Sequence, residues 1–327
     1  MQYRSVKGFS GWGQLGMLCI FTGVGFILSA IAQLVIVMQV VPAGMPWSKV
    51  ADEMMNLMNK PENVGYARLA QIVGTFFLFF VPAVLYMLVC HGRNMFWLGF
   101  NKHINAWQIL AGFFLFLFIT FLAGLLQDVS KNIIAHYPKL NTSARQLEDM
   151  YNSEVSALSN LRSWSEYAMA IVVMAFFPAV FEEVFFRGAI QQLLVKWWRS
   201  PMLGIIVTSV LFSIIHMSYY LFLTRVLLGF ALGLMYERSR NIWVIIIAHF
   251  LNNAVVVTQL FLLSRSGQSI EPDKLNPQFP LWGGLIGICL ATGAYIIFEK
   301  VSVKQRKLVE FDEQNLIEKH DPFHAMR

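Results

Sequence analysis

The chain has 327 residues, 57% of them hydrophobic and 13% charged, with a net charge of +6. A soluble globular domain carries about 25% charged residues, and the apolar residues here come in long blocks, so the composition excludes a soluble protein and identifies an integral membrane protein. The positive excess forms no basic block, which argues for charge on cytoplasmic loops and against a nucleic-acid partner.

In chain order, MQYRSVKGFSGWGQL leads into an apolar run with no small-x-small cleavage site before it, so the run reads as an uncleaved first span. Eight stretches approach the ~20 residues a membrane helix needs: 16–38, 69–90, 107–126, 168–195, 202–217, 219–236, 242–263 and 281–298. The expected fold is all-α, a polytopic integral membrane bundle of about eight transmembrane helices forming one domain over 1–327. The fifth span is short. The fourth is long and carries Pro178, which predicts a kink one turn before a pair of glutamates. Residues 127–165 are polar enough for an extramembrane loop with helical stretches such as SARQLEDMYNSEVSALSNL, and 165–256 hold the motif core. Residues 300–327 alternate charges, as a solvated or surface-lying cytoplasmic tail would. With the N-terminus inside, the inner loops and tail carry 14 Lys and Arg residues against nine outside, a bias that places both termini in the cytoplasm. Cys19, Cys90 and Cys289 lie in or beside apolar runs without a CxxC pair, and read as small buried hydrophobes.

The fourth span contains AVFEEVFFRGAI, in which Glu182, Glu183 and Arg187 stand among three phenylalanines, two valines and an isoleucine. An ionised group at a bilayer centre costs roughly 2.5–3.5 kcal/mol, so such groups face the bundle interior and find partners. Glu183 and Arg187 are i, i+4 with the acid first, the favourable ion-pair orientation. Glu182 points about 100° away and is left without an in-helix partner. Two histidines also fall within spans, His216 in LFSIIHMS and His249 in IIIAHFLNN. Phe212 and His216 share one helix face, as do His249 and Asn253. At 1.5 Å per residue, Glu182, His216, His249 and Asn253 fall in the middle or the cytoplasmic half of the membrane, depths that permit one site.

A carboxylate in an apolar cavity is a usable general base for water, a histidine opposite can hold the same water, and His and Asn side chains can form an oxyanion hole. Together these parts describe amide hydrolysis. Ser213, three residues before His216, leaves a Ser–His hydrolase open, and Glu182 with His216 could instead relay protons in a transporter.

EEVFFR reads as EExxxR, FSIIH as FxxxH and HFLNN as HxxxN. Three motifs in this order on membrane helices resemble the CAAX prenyl endopeptidase and bacteriocin-processing family, the type II CAAX proteases. These are also called intramembrane glutamic endopeptidases and were formerly classed as metalloproteases. LLGFALGLMYERSRNIW also looks like that family's glycine-punctuated helix. The resemblance implies peptide hydrolysis within the bilayer, acting on a membrane-associated peptide or protein. Carried over, it makes Glu182 the general base, His216 the residue that helps activate water, and His249 with Asn253 the oxyanion-stabilising pair. Glu183 and Arg187 keep the structural ion pair, and Phe212 packs the motif. Asn252 is a departure that blurs which amide reaches the site. No cofactor is expected; the alternative is Zn²⁺ held by Glu182, His216 and His249 as His₂Glu, although HExxH is absent. A catalytically silent member acting as a scaffold or immunity-type protein is the remaining alternative.

Overall fold

The computed structural model describes residues 3–159, 161, 163–266 and 280–320. Arg162, Glu271, Asp273, Lys274, His324 and Arg327, which enter the charge and histidine readings, lie outside the described residues, as does the tail over 321–327. Among the described residues there are ten helices of twelve or more residues and no strand. They are α1 (Gly11–Val37), α2 (Trp47–Met58), α3 (Pro61–Cys90), α4 (Ala106–Ala135), α5 (Pro138–Leu158), α6 (Trp164–Trp198), α7 (Pro201–Ile215), α8 (Phe222–Ser239), α9 (Ile242–Arg265) and α10 (Leu281–His320).

Six of these, α1, α3, α4, α6, α9 and α10, are long and apolar enough to cross a membrane. The fifth and sixth expected spans, α7 and α8, are shorter or carry charge, and they pack on each other. Both α1 and α7 leave an apolar outer face exposed, Phe26, Ile27, Ile31 and Val35 on the first and Met202, Leu203, Ile206 and Ile214 on the second.

Several ends differ from the sequence reading, each for a local reason. The first helix starts at Gly11 instead of 16 because Ser10 Oγ accepts from Gly13 N–H at 3.2 Å. The fourth span starts at Trp164 because Ser163 and Glu166 form a capping box. Helix α4 runs on to Ala135, three residues short of α5, so the polar loop begins later than 127. Residues 300–320 hold no proline or glycine and continue α10 unbroken to His320, fastened by Lys196–Glu313 at 2.6 Å and His103–Asp312 at 2.8 Å. Cys90 is buried, but Cys19 and Cys289 are exposed on the outer faces of their helices, where lipid replaces the core.

At Pro178 the backbone widens into π-type turns, over Ile171–Phe176 before it and Val184–Gln191 beyond the glutamates. Pro82 in α3 likewise follows a π turn, Phe76–Phe80. Proline has no N–H and crowds the carbonyl four residues back, and a wider turn makes room for it.

Two apolar clusters build the interior. One joins α1, α3 and α6 around Phe79, Met87 and Phe186; the other joins α4, α8, α9 and α10 around Phe116, Met235 and Phe298. Val180 of α6 packs against both. Within its most apolar window α6 is 61% buried, against 22% for α1, so the helix bearing both glutamates is the central one.

Candidate active site

Arg187 and Glu183 are both fully buried, with Nη1 2.7 Å from Oε1. The guanidinium is held on two further sides. Its Nη2 donates to the Gly229 carbonyl of α8 at 2.9 Å, and the Phe212 ring of α7 lies 4.8 Å away. One turn on, Gln191 Nε2 donates to the Gly233 carbonyl at 2.9 Å. The glycine-punctuated stretch is therefore the acceptor face of α8, matched residue for residue to Arg187 and Gln191. A Cβ at Gly229 would stand 3.3 Å from the Ser209 backbone, so its absence is what lets α8 approach.

Glu183 does more than its expected pairing. His249 Nδ1 of α9 lies 2.8 Å from the same Oε1 that accepts from Arg187. One carboxylate oxygen thus joins α6 to α9 and fixes the imidazole's rotation. Since a carboxylate accepts, Nδ1 carries a proton and Nε2 is the ring's remaining polar atom.

His216 sits at the C-terminal cap of α7. Its Nδ1 donates to the Phe212 carbonyl at 2.6 Å, and its Nε2 stands 3.8 Å from Glu182 Oε2. Glu182, expected to lack an in-helix partner, meets a histidine from another helix at a separation beyond a direct hydrogen bond. Phe212 packs against the rings of His216, at 4.5 Å between centroids, and Phe186, at 5.1 Å, so it is the common plate beneath the cluster. Ser213 does not meet His216; its hydroxyl donates to the Phe222 carbonyl at 2.8 Å, which leaves the Ser–His arrangement unformed.

A cavity of about 360 Å³ opens over these groups. Glu182, His216, His249, Asn252 and Asn253 line it with Phe212. Asn252 donates to Asn253 Oδ1 at 3.4 Å, so both amides reach the site and Asn253 keeps its Nδ2 for it. The apolar wall includes Met174, Pro178, Leu228 and Val257. Sequence reasoning missed the polar rim: Glu148, Tyr151 and Glu154 of α5, together with Gln127, Thr224 and Arg225. The spacing 148, 151, 155, 158 in α5 places one face toward the cavity, a signal that was available in its i, i+3, i+4 pattern.

Among the described residues no three His, Cys, Asp or Glu side chains converge closely enough to hold a metal ion. As placed here, Glu182, His216 and His249 do not form a His₂Glu ligand set.

The fold and this buried polar cluster define a polytopic α-helical membrane protein with a site enclosed between α6, α7, α8 and α9. Residues 164–255 match the family model described as type II CAAX prenyl endopeptidase Rce1-like. An 89-residue stretch is 33% identical to "Putative membrane peptidase YdiL" of Bacillus subtilis (strain 168), covering 27% of this chain and 36% of that protein. A 94-residue stretch is 32% identical to "Uncharacterized protein YpbD" of the same organism, covering 28% of this chain and 45% of that protein. The similarity thus spans less than half the length of these curated relatives. No solved structure matches the chain.

Proposed function

We propose that the protein is an intramembrane endopeptidase that hydrolyses a peptide bond of a membrane-associated peptide or protein, with water activated by Glu182 and without a metal. The observation that carries this reading is the 3.8 Å separation of Glu182 Oε2 and His216 Nε2 at the cavity. Two acceptors so placed can each take one hydrogen of a single water at about 2.8 Å. His216 is an acceptor there because its Nδ1–H is held by the Phe212 carbonyl. The water's lone pair is then free to face a substrate carbonyl.

Glu182 takes a proton from that water as its oxygen adds to the carbonyl carbon, and the carbonyl oxygen becomes the oxyanion. As the doubly protonated ring, His249 offers Nε2–H to the oxyanion while Nδ1–H stays on Glu183, and Asn253 Nδ2 offers a second donor. Before the attack Glu182 and Glu183 stand against Arg187 and His249, and once Glu182 holds the proton the oxyanion carries the second negative charge. Glu182 returns its proton to the leaving nitrogen as the C–N bond breaks, giving a carboxylic acid and an amine. This reading takes both termini as cytoplasmic, from the loop charge bias, and α5 as part of the extramembrane loop.

The test is cleavage of two membrane-anchored quenched fluorescent peptides by purified protein, one prenylated at a C-terminal cysteine and one not. Hydrolysis of either at one bond, lost in a monodisperse Glu182→Ala variant, supports the reading. Equal hydrolysis by that variant contradicts it, and hydrolysis of neither favours a catalytically silent protein.

A further inference from the structure

Helix α7 ends at His216, and the next residue, Met217, adopts a left-handed backbone with φ +50°. Glycine is the usual occupant of that place after a helix, and a residue with a Cβ holds it only where the surroundings enforce it. Two side-chain ties span this turn, each across nine residues. Ser213 Oγ donates to the Phe222 carbonyl at 2.8 Å, and Arg225 Nη1 donates to the His216 carbonyl at 3.1 Å. That carbonyl is one of the orphan acceptors at a helix C-terminus. Arg225 is braced in turn, its guanidinium 5.3 Å from the Tyr151 ring of α5.

These contacts divide the work of placing His216. The Phe212 carbonyl sets the rotation of the ring, whereas Arg225 holds the backbone that carries the ring. We propose that Arg225 is a positioning residue for His216: by fastening the strained turn after α7 it keeps Nε2 opposed to Glu182. The proposal rests on the reading of Glu182 and His216 as the pair that holds water. Met217 marks the weak point of the turn, because the cost of its left-handed backbone would release the turn once the tie is cut.

The experiment compares the full-length wild type in detergent with Arg225→Ala, Arg225→Lys and Arg225→Ala/Met217→Gly. Hydrogen exchange by mass spectrometry over residues 212–222 reads the turn, with residues 182–191 as the control for the fold. Arg225→Ala should exchange roughly tenfold faster over 212–222 and unchanged over 182–191. Arg225→Lys, which still offers a donor, should stay near wild type. Met217→Gly in the Ala background should recover most of the protection, since glycine accepts the left-handed backbone without cost. On whichever of the two fluorescent peptides the wild type cleaves, kcat should fall about 10- to 100-fold in Arg225→Ala with KM unchanged, and recover with Met217→Gly. Should Arg225→Ala lose its fold, Arg225→Gln, too short to reach the carbonyl, replaces it beside Arg225→Lys. Wild-type exchange over 212–222 in Arg225→Ala overturns the proposal whatever the activity. A raised KM with kcat kept and no recovery by Met217→Gly also overturns it, by making Arg225 a substrate contact. Full activity in His216→Ala would instead sink the reading beneath it, while the exchange measurement still decides the role of Arg225.

Discussion

His249 and Glu183 meet across 66 residues of chain, Nδ1 to Oε1 at 2.8 Å, on the oxygen that also accepts from Arg187. Glu183 is therefore both the counter-charge of a buried arginine and the holder of a candidate catalytic ring. These two duties can be separated by mutation.

Arg187→Ala leaves Glu183 buried without its strongest partner, and removing one member of a buried pair costs about 3–5 kcal/mol. Glu183→Gln/Arg187→Met removes both charges and should be more stable than the single variant in a thermal melt in detergent. It should still be inactive, because His249 loses the carboxylate that fixes its ring. A single variant as stable as wild type would show that the pair is not a buried structural unit.

Asn253→Ala removes one donor from the developing oxyanion. Loss of such a donor costs about 10²–10³ in kcat, and the expected split is a fall in kcat with little change in KM. Asn252→Ala should lose far less, since the i+4 register with His249 belongs to Asn253. Equal losses in the two variants would remove the distinction.

Much of this arrangement was legible in the chain because helical spacing is local. The apolar blocks marked the spans, and the i, i+4 relations of Glu183 with Arg187, Phe212 with His216 and His249 with Asn253 pointed to shared faces. What lies between helices was not legible. Nothing near position 249 announces Glu183, and the backbone acceptors at Gly229 and Gly233 carry no side-chain signature. The spacing in α5 marked a face but not the cavity it covers, and the ion pairs that dock α10 on Lys196 and His103 had no local signal. The early start of α6, by contrast, was written in Ser163 and Glu166 as a capping box.

Metal dependence separates two chemistries that use the same residues. A zinc enzyme needs three protein ligands and an open position, and Glu182 as a ligand could not readily serve as the base. Activity should survive exhaustive 1,10-phenanthroline treatment, with substoichiometric zinc by elemental analysis. Stoichiometric zinc, with activity lost on chelation and restored by added Zn²⁺, would make Glu182, His216 and His249 ligands instead.

The central claim is that Glu182 takes a proton from water. Glu182→Gln keeps the shape of the side chain and a hydrogen-bond acceptor but removes the base, so kcat on the cleaved fluorescent peptide tests the claim most directly. General base catalysis supplies about 10²–10⁴-fold, and kcat should fall by at least about 10² while KM and the melting temperature stay near wild type. A Glu182→Gln enzyme with kcat within a few-fold of wild type would contradict the account.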